Sequence, residues 1–504
     1  MYRFAVVVLM AVLLVACGGT ATTSSPQASQ KPKSGGTLQV ALESELRTLD
    51  PVFSTQLVER EVFYNMYEPL VEIDQRLKII PGLATSWDIP DPTTYVFHLR
   101  QGVHFQDGTA FDAAAVKWNL DRDRTAPGSF RKNDLSSVDT VEVRNASTVV
   151  LHLKQPDATL LSTLVDRAGM ILSPTAVQKG GKDFARNPLG AGTGPFEFVE
   201  WQNGDHLTLK KNPDYWQKGK PYLNQIIFHP ITNTDSSLAQ LRSGGLDVVR
   251  VVSGKDVAGI KQDSSLVYKA IPGLAFDGIE INRKGAFANP DRARAVALAI
   301  DRPQIVQNVD FGVGTVSHGP IPPPSWAYDP SEKLYEGAQA AKAKQTATGF
   351  TFTLKATNTP DSLQAAQLIK AQLAKAGITM EIQSEEFGQL LNEVEAHTFD
   401  AALVGWSGRI DPDGNMYAWF HTGGVNNDDQ YSNAKVDSDL EQARLTTNQA
   451  QRKRLYDDAQ KQLVGDVAYV FIHHAASQEV HTTHVHGFTI YPDQMLRFVD
   501  TWKS

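Results

Sequence analysis

The sequence predicts an α/β protein, and three observations carry that prediction. Residues 351–406 read as strand, helix, strand, helix, strand, at lengths that imply parallel pairing through right-handed crossovers. The stretch before about residue 270 is dominated by short alternating strands. The chain has 504 residues, 41% hydrophobic and 21% charged, with a net charge of −8; that is long for one core and ordinary for folded units. A disordered chain, a collagen-like repeat and a multispan membrane protein are excluded, and the mild acidity gives no reason to expect nucleic acid as a partner.

The N-terminus reads as a targeting segment. Arg3 precedes an unbroken apolar run from Phe4 to Ala16, shorter than the roughly 20 residues a membrane-spanning helix needs but suited to a signal-peptide core. The run ends in Leu14-Val15-Ala16-Cys17-Gly18, which is similar to the bacterial lipobox. Residues 1–16 are therefore expected to be a lipoprotein signal peptide, and Cys17 the lipid attachment site; an ordinary signal peptide that happens to hold a cysteine is the alternative. Cys17 is the only cysteine, so a disulfide framework is impossible. Residues 17–36 are rich in Thr, Ser, Gln, Pro, Lys and Gly and read as a flexible tether, because they carry too little apolar surface to offset their chain entropy. An exported protein held at a membrane surface, with its body in water, follows.

The folded part opens at Thr37 to Ala41, a strand-like alternation. Tyr95, Phe97 and Leu99 share one face of a second strand, Val141 to Val143 and Val149 to Leu153 suggest two more, and Asp91-Pro92 and Asp107-Gly108 mark turns. Helices are expected over Asp112 to Arg122 and, as one element, over Arg292 to Asn308. In the later half, Thr351 to Asn358 is a strand, Pro360-Asp361-Ser362 starts a helix that Gly377 ends, Thr379 to Gln383 is a strand, Gly388 to Ala396 a helix, and Asp400 to Trp406 a buried strand.

Open α/β sheets bind ligands beyond the carboxyl ends of their strands. The loop Trp406-Ser407-Gly408-Arg409-Ile410-Asp411 lies there and is the best candidate site, since it combines an apolar platform, small residues that admit a ligand to the backbone, and a charged group. The structural alternative is that Trp406 caps the sheet while Arg409 pairs with Asp411 or Asp413.

Several spaced blocks then resemble one family: Ala41 to Pro51, Tyr67-Glu68-Pro69-Leu70, Pro81 to Trp87, Phe97 to Gly108, Gly192-Thr193-Gly194-Pro195-Phe196, Lys211-Asn212-Pro213-Asp214-Tyr215-Trp216, Ala299-Ile300-Asp301-Arg302 and Gly405-Trp406-Ser407. In this order the chain is similar, from about residue 35 onward, to the peptide/nickel class of extracellular solute-binding proteins, the receptors of ABC importers. The resemblance implies a two-lobed periplasmic-binding-protein fold of class II type with its ligand in the interlobe cleft. One lobe would comprise 37–272 plus 480–504, with an inserted subdomain at about 56–188, and the other 273–479. It further implies a small-molecule or peptide ligand, a membrane permease as partner, a monomer, and a periplasmic or cell-surface location. In peptide-binding members the position of Arg409 is an Asp that holds the ligand's α-ammonium. A guanidinium there would instead invite a carboxylate, a phosphate or clustered hydroxyls. Thr55, Leu57, Trp406, Ser407 and Gly408 carry over as cleft positions. Phe276 joins them because it lies at the proposed lobe crossing, Glu45 because it follows the first strand, and Asp411 because it closes the loop.

Two competing classes have less support. Gly190-Ala191-Gly192-Thr193-Gly194 hints at a nucleotide loop, but Pro195 and the alternation from Phe196 to Trp201 put a strand after it, where a phosphate cradle needs a helix. No nucleophile elbow, zinc-protease or Walker sequence is present, so a secreted hydrolase has no positive support and no cofactor is required. Asp411-Pro412-Asp413-Gly414-Asn415 lacks the spacing of a calcium loop and reads as a turn. His484 and His486 would point the same way on a strand, a spacing that can chelate a metal, so a receptor for nickel or another metal complex is the alternative function.

Overall fold

Thr37–Leu42 does form a strand, and its alternation buries Leu38 and Val40 at the centre of a seven-stranded sheet. The computed structural model describes residues 31–504; the signal segment, Cys17 and most of the tether lie outside the described residues. Across this sheet the strands run Leu266–Pro272, Ala476–Thr482, Val248–Val249, Thr37–Leu42, Gln225–Pro230, His206–Lys211 and Phe196–Gln202. The central strand pairs in parallel with both neighbours, and the flanking pairs are antiparallel. Phe196, Phe228 and Phe498 fill the core beneath it, together with Val58, Val62, Phe63 and Met66 of the helix Leu57–Met66.

A four-stranded antiparallel sheet sits within this first part, in the order Ala84–Asp91, Thr94–Leu99, Thr148–Leu153, Val138–Asn145. Its helix, Ala113–Thr125, starts where the Asp112 carboxylate accepts from the Ala115 N–H, and it buries Ala115, Val116 and Leu120. This sheet has a core of its own, drawn from residues between Leu70 and Ile171.

The later half builds a six-stranded sheet. Thr351–Thr357 pairs in parallel with Thr379–Glu385 and with Ala401–Trp406, as the β-α-β-α-β reading requires. The sheet is nonetheless mixed, because Phe276–Ile281 pairs antiparallel with both Ala401–Trp406 and Val470–His474. Those two strands come from either end of the segment, so local periodicity gave no sign of their pairing. The single helix expected over 292–308 is two, Pro290–Ala299 and Arg302–Asn308. Ile300 is extended, and the Asp301 carboxylate caps the second helix at Gln304 N just ahead of Pro303.

The chain passes between the two large sheets twice, through 273–275 and through Ala475. The crossings touch: a Cβ on Gly273 would lie 2.5 Å from the Ala475 carbonyl oxygen, so only glycine fits. His474 clamps them, its Nδ1 2.9 Å from the Ala275 carbonyl oxygen. Burial pushes its imidazole down to about 4, so the ring is neutral near neutral pH and donates this bond as an N–H. Among the described residues no helix is long and apolar enough to cross a membrane.

Candidate functional site

The strand Ala401–Trp406 delivers the loop singled out in the sequence. Asn415, fully buried, fixes that loop: its Oδ1 accepts from the Trp406 indole N–H at 3.2 Å and from the Arg409 backbone N–H at 2.7 Å. Gly408 has φ +80, and a Cβ there would stand 2.1 Å from the Leu274 carbonyl oxygen. Glycine is therefore required twice over, for its conformation and for the close approach of the loop to a crossing segment. The expected turn at 411–415 is the start of the helix Asp413–Phe420, with the Asp411 carboxylate accepting from Asp413 N.

Arg409 does not pair with Asp411 or Asp413, as the structural alternative had it. Asp411 is taken by Arg452 at 2.7 and 2.9 Å, and Asp413 by Arg444 at 2.7 and 2.9 Å. Arg409 lies over the Trp406 ring at 4.1 Å and donates to Ser407 Oγ and the Gly408 carbonyl. Its Nε reaches Asp166 at 3.2 Å, on the far side of a cleft.

Asp166 belongs to the segment that follows the four-stranded sheet. Arg60 grips it with two nitrogens, each at 3.0 Å, and also donates to Ser407 Oγ. Burial opposes the Asp166 carboxylate, but Arg60, Arg409 and Arg167 outweigh it and hold the group well below the usual carboxylate range. Burial, reinforced by Arg60, pulls Arg409 down to about 10 against the attraction of Asp166. Arg167, 2% exposed, donates to the Ser54 carbonyl and hydroxyl. Arg131 donates to Asp134 at 2.6 Å and to the same Ser54 carbonyl.

Between these walls lies a cavity of about 350 Å³, at the small end of ligand pockets. The first wall offers Arg131, Asp134, Asp157 and Arg167; the second offers Trp406, Arg409, Tyr417 and Arg444. The walls are tied together beyond the Arg409–Asp166 pair, since Ala158 N donates to the Arg444 carbonyl at 2.9 Å; away from the cavity, Ser253 Oγ donates to Asp361 at 3.0 Å.

Of the residues the sequence nominated, Thr55, Trp406, Arg409 and Asp411 line the cavity. Asp411 does so with both oxygens committed to Arg452. Ser407 and Gly408 support Arg409 from behind. The other three do not line it. Phe276 is fully buried against Trp419, Tyr469 and Phe471, because the first side chain after the crossing faces the core. Leu57 packs on the first core, and Glu45 accepts from Gly204 N. His484 and His486 have separate partners in the C-terminal segment: Ser504 for the first and the Trp502 ring, stacked at 4.2 Å, for the second. Among the described residues no group of three or more His, Cys, Asp or Glu could hold a metal ion. Arg60, Arg131, Asp166, Arg167 and Arg444 escaped the sequence reading, since none sits in a recognisable motif and only the fold brings them to one place.

Residues 78–427 match the family described as bacterial extracellular solute-binding proteins, family 5 Middle. The glutathione-binding protein GsiB of Pectobacterium atrosepticum is 29% identical, with 97% of each chain covered. Among solved structures, the ABC transporter-associated periplasmic binding protein DppA from Helicobacter pylori in complex with peptide STSA has a TM-score of 0.86 at 26% identity, covering 94% of this chain and 98% of its own. AgaA from A. tumefaciens R10 in complex with agropinic acid has a TM-score of 0.85 at 27% identity, covering 93% and 99%. With the family match running over well more than half of its length and its whole fold shared with such receptors, this chain belongs to the family 5 bacterial extracellular solute-binding proteins, two-lobed receptors that capture small solutes for ABC importers.

Proposed function

We propose that this protein captures a compact anionic solute, peptide-like or hydroxylated, between its lobes and passes it unchanged to a membrane permease. The observation that carries the reading is the cavity itself: about 350 Å³, with Arg131, Arg167, Arg409 and Arg444 on its walls and the aromatic faces of Trp406 and Tyr417 beside them. Guanidinium forks match carboxylates, and aromatic faces cover apolar or sugar-like parts. Relatives named for glutathione and agropinic acid, both carboxylate-bearing solutes, support an anion, while the small volume argues against an extended oligopeptide. Capture works by population shift: a solute touching both walls favours the closed arrangement by its differential affinity, and closure is what a permease reads. Arg409 serves both ends of this, anchoring solute and tying the lobes through Asp166. No step of covalent chemistry is required.

The lobe boundaries belong to the same proposal: 37–272 with 480–504 against 273–479, the inserted subdomain centred on the core between Leu70 and Ile171. So do a monomeric state and a membrane anchor through Cys17. Cys17→Ser is expected to release the protein from the membrane fraction; retention would count against lipidation. Mass spectrometry of solute released from the purified protein, paired with small-angle scattering before and after its return, tests capture. Return of the solute should contract the protein, and an unchanged profile would refute closure on solute.

A further inference from the structure

Five carboxylates line the cavity, those of Asp134, Asp157, Asp166, Asp411 and Asp413, and four of them are committed within the protein. Asp411 is held by Arg452 and Asp413 by Arg444, each through both oxygens. Asp157 accepts from Ser137 at one oxygen and from the Thr159 N–H and hydroxyl at the other. Asp166 is shared by Arg60 and Arg409 and also accepts from Arg167 N. Asp134 differs. Its Oδ2 accepts from Arg131 Nη1 at 2.6 Å, while its Oδ1, which is not buried, has no partner among the described residues. The Asp134 side chain is 33% exposed, against 11% or less for Asp166, Asp411 and Asp413, so a solute can reach that oxygen.

The donors sort in the same way. Arg131 and Arg167 are buried, and Arg131 gives its two terminal nitrogens to Asp134 and the Ser54 carbonyl. Arg409 spends Nε on Asp166 and Nη1 on Ser407 and Gly408, and Arg444 spends Nε and Nη2 on Asp413. Among the described residues Arg409 Nη2 and Arg444 Nη1 have no acceptor, and both side chains are partly exposed. The groups left for a solute are therefore guanidinium N–H donors on the second wall and one carboxylate oxygen on the first. Asp134 stabilises the Arg409 cation without forming an ion pair with it, so the two stand near each other on opposite walls of one cavity.

We infer that Asp134 Oδ1 accepts from an ammonium group of the solute, whose anionic group lies at Arg409 and Arg444 on the opposite wall. Charge favours an ammonium over a hydroxyl, because a charge-assisted hydrogen bond is about twice as strong as a neutral one and Asp157 is a second anion of the same wall. A solute placed in this way touches one wall with each end and so favours closure. This rests on the solute-capture reading and makes Asp134 the residue that separates an amino-bearing anion from a plain one.

The test is thermal unfolding of the full chain near neutral pH with free aspartate, malate or succinate at matched ionic strength. These three probes share one dicarboxylate frame and differ in carrying an amino group, a hydroxyl or neither. Free aspartate should raise the midpoint saturably, with malate and succinate at least about 10-fold weaker. Asp134→Asn should abolish that preference and leave the response to succinate as it was. Asp88→Asn, which removes a carboxylate paired with His98 outside the cavity, should keep the preference. Equal responses to the three probes, a preference for malate or succinate, no response to free aspartate, or a preference that survives in Asp134→Asn would overturn the inference. A solute without a cationic nitrogen recovered from the protein would also overturn it while leaving capture and closure intact.

Discussion

On the second wall Arg444 holds Asp413 and Arg452 holds Asp411, each with two nitrogens, and only Arg409 reaches across the cavity for its carboxylate. On the facing wall Arg60 and Arg167 share Asp166 with each other and with Arg409, which reaches it from across the cavity. The first arrangement is complete in itself and stiffens the loop that carries Trp406. The second shares one carboxylate among three guanidiniums and joins the two walls. The charges of the second wall are thus mostly paired within it, while those of the first are linked across the cavity.

The contrast is easiest to break at Asp166. Asp166→Asn leaves buried guanidiniums without their shared counter-charge and should cost about 3–5 kcal/mol in urea unfolding; a loss below about 1 kcal/mol would mean that solvent screens the arginines from one another. Next comes a paired measurement. Arg444→Met strands the buried Asp413 carboxylate and should cost about 2 kcal/mol, while Arg167→Met leaves Asp166 held by Arg60 and Arg409 and should cost less. The reverse order would erase the distinction between the walls. Gly408→Ala, forced into a left-handed conformation against the Leu274 carbonyl, should cost roughly 1–2 kcal/mol and loosen the second wall without altering its charges. The smallest effect is on pH. Because the Asp166 carboxyl is depressed in the folded protein, its contribution is complete above the ordinary value of about 4 and is lost as pH falls below it. Acid unfolding should therefore be steeper below about pH 4 in the parent than in Asp166→Asn; parallel curves would remove Asp166 from the acid limb.

Much of this architecture was legible. The parallel strands around 351–406 show as local periodicity, and the loop at Trp406 follows from where such strands end. The antiparallel strands Phe276–Ile281 and Val470–His474 were not, because strand pairing across long separations leaves no local signal. The site divides the same way. Trp406 and Arg409 stand on a strand end that the pattern announces. Arg131, Asp166 and Arg167 stand in irregular segments beside a four-stranded sheet, and their meaning depends on which other charges the fold brings near. Phe276 shows the converse: nearness to a crossing suggested a cleft position, but its alternation with Asp277 turns it into the core.

The four-stranded sheet carries its own core, separate from those beneath the two large sheets, yet it supports the wall that holds Arg131 and Arg167. The touching crossings at Gly273 and Ala475, and the Gly408 loop that leans on Leu274, lie elsewhere in the chain. The wall proposed to meet solute and the crossings between the two large sheets thus lie in different packing units. On the proposed reading, changes around Arg131 and Arg167 should alter solute preference while the packing at Gly273 and Ala475 is kept, which would make this small sheet the place to retune uptake.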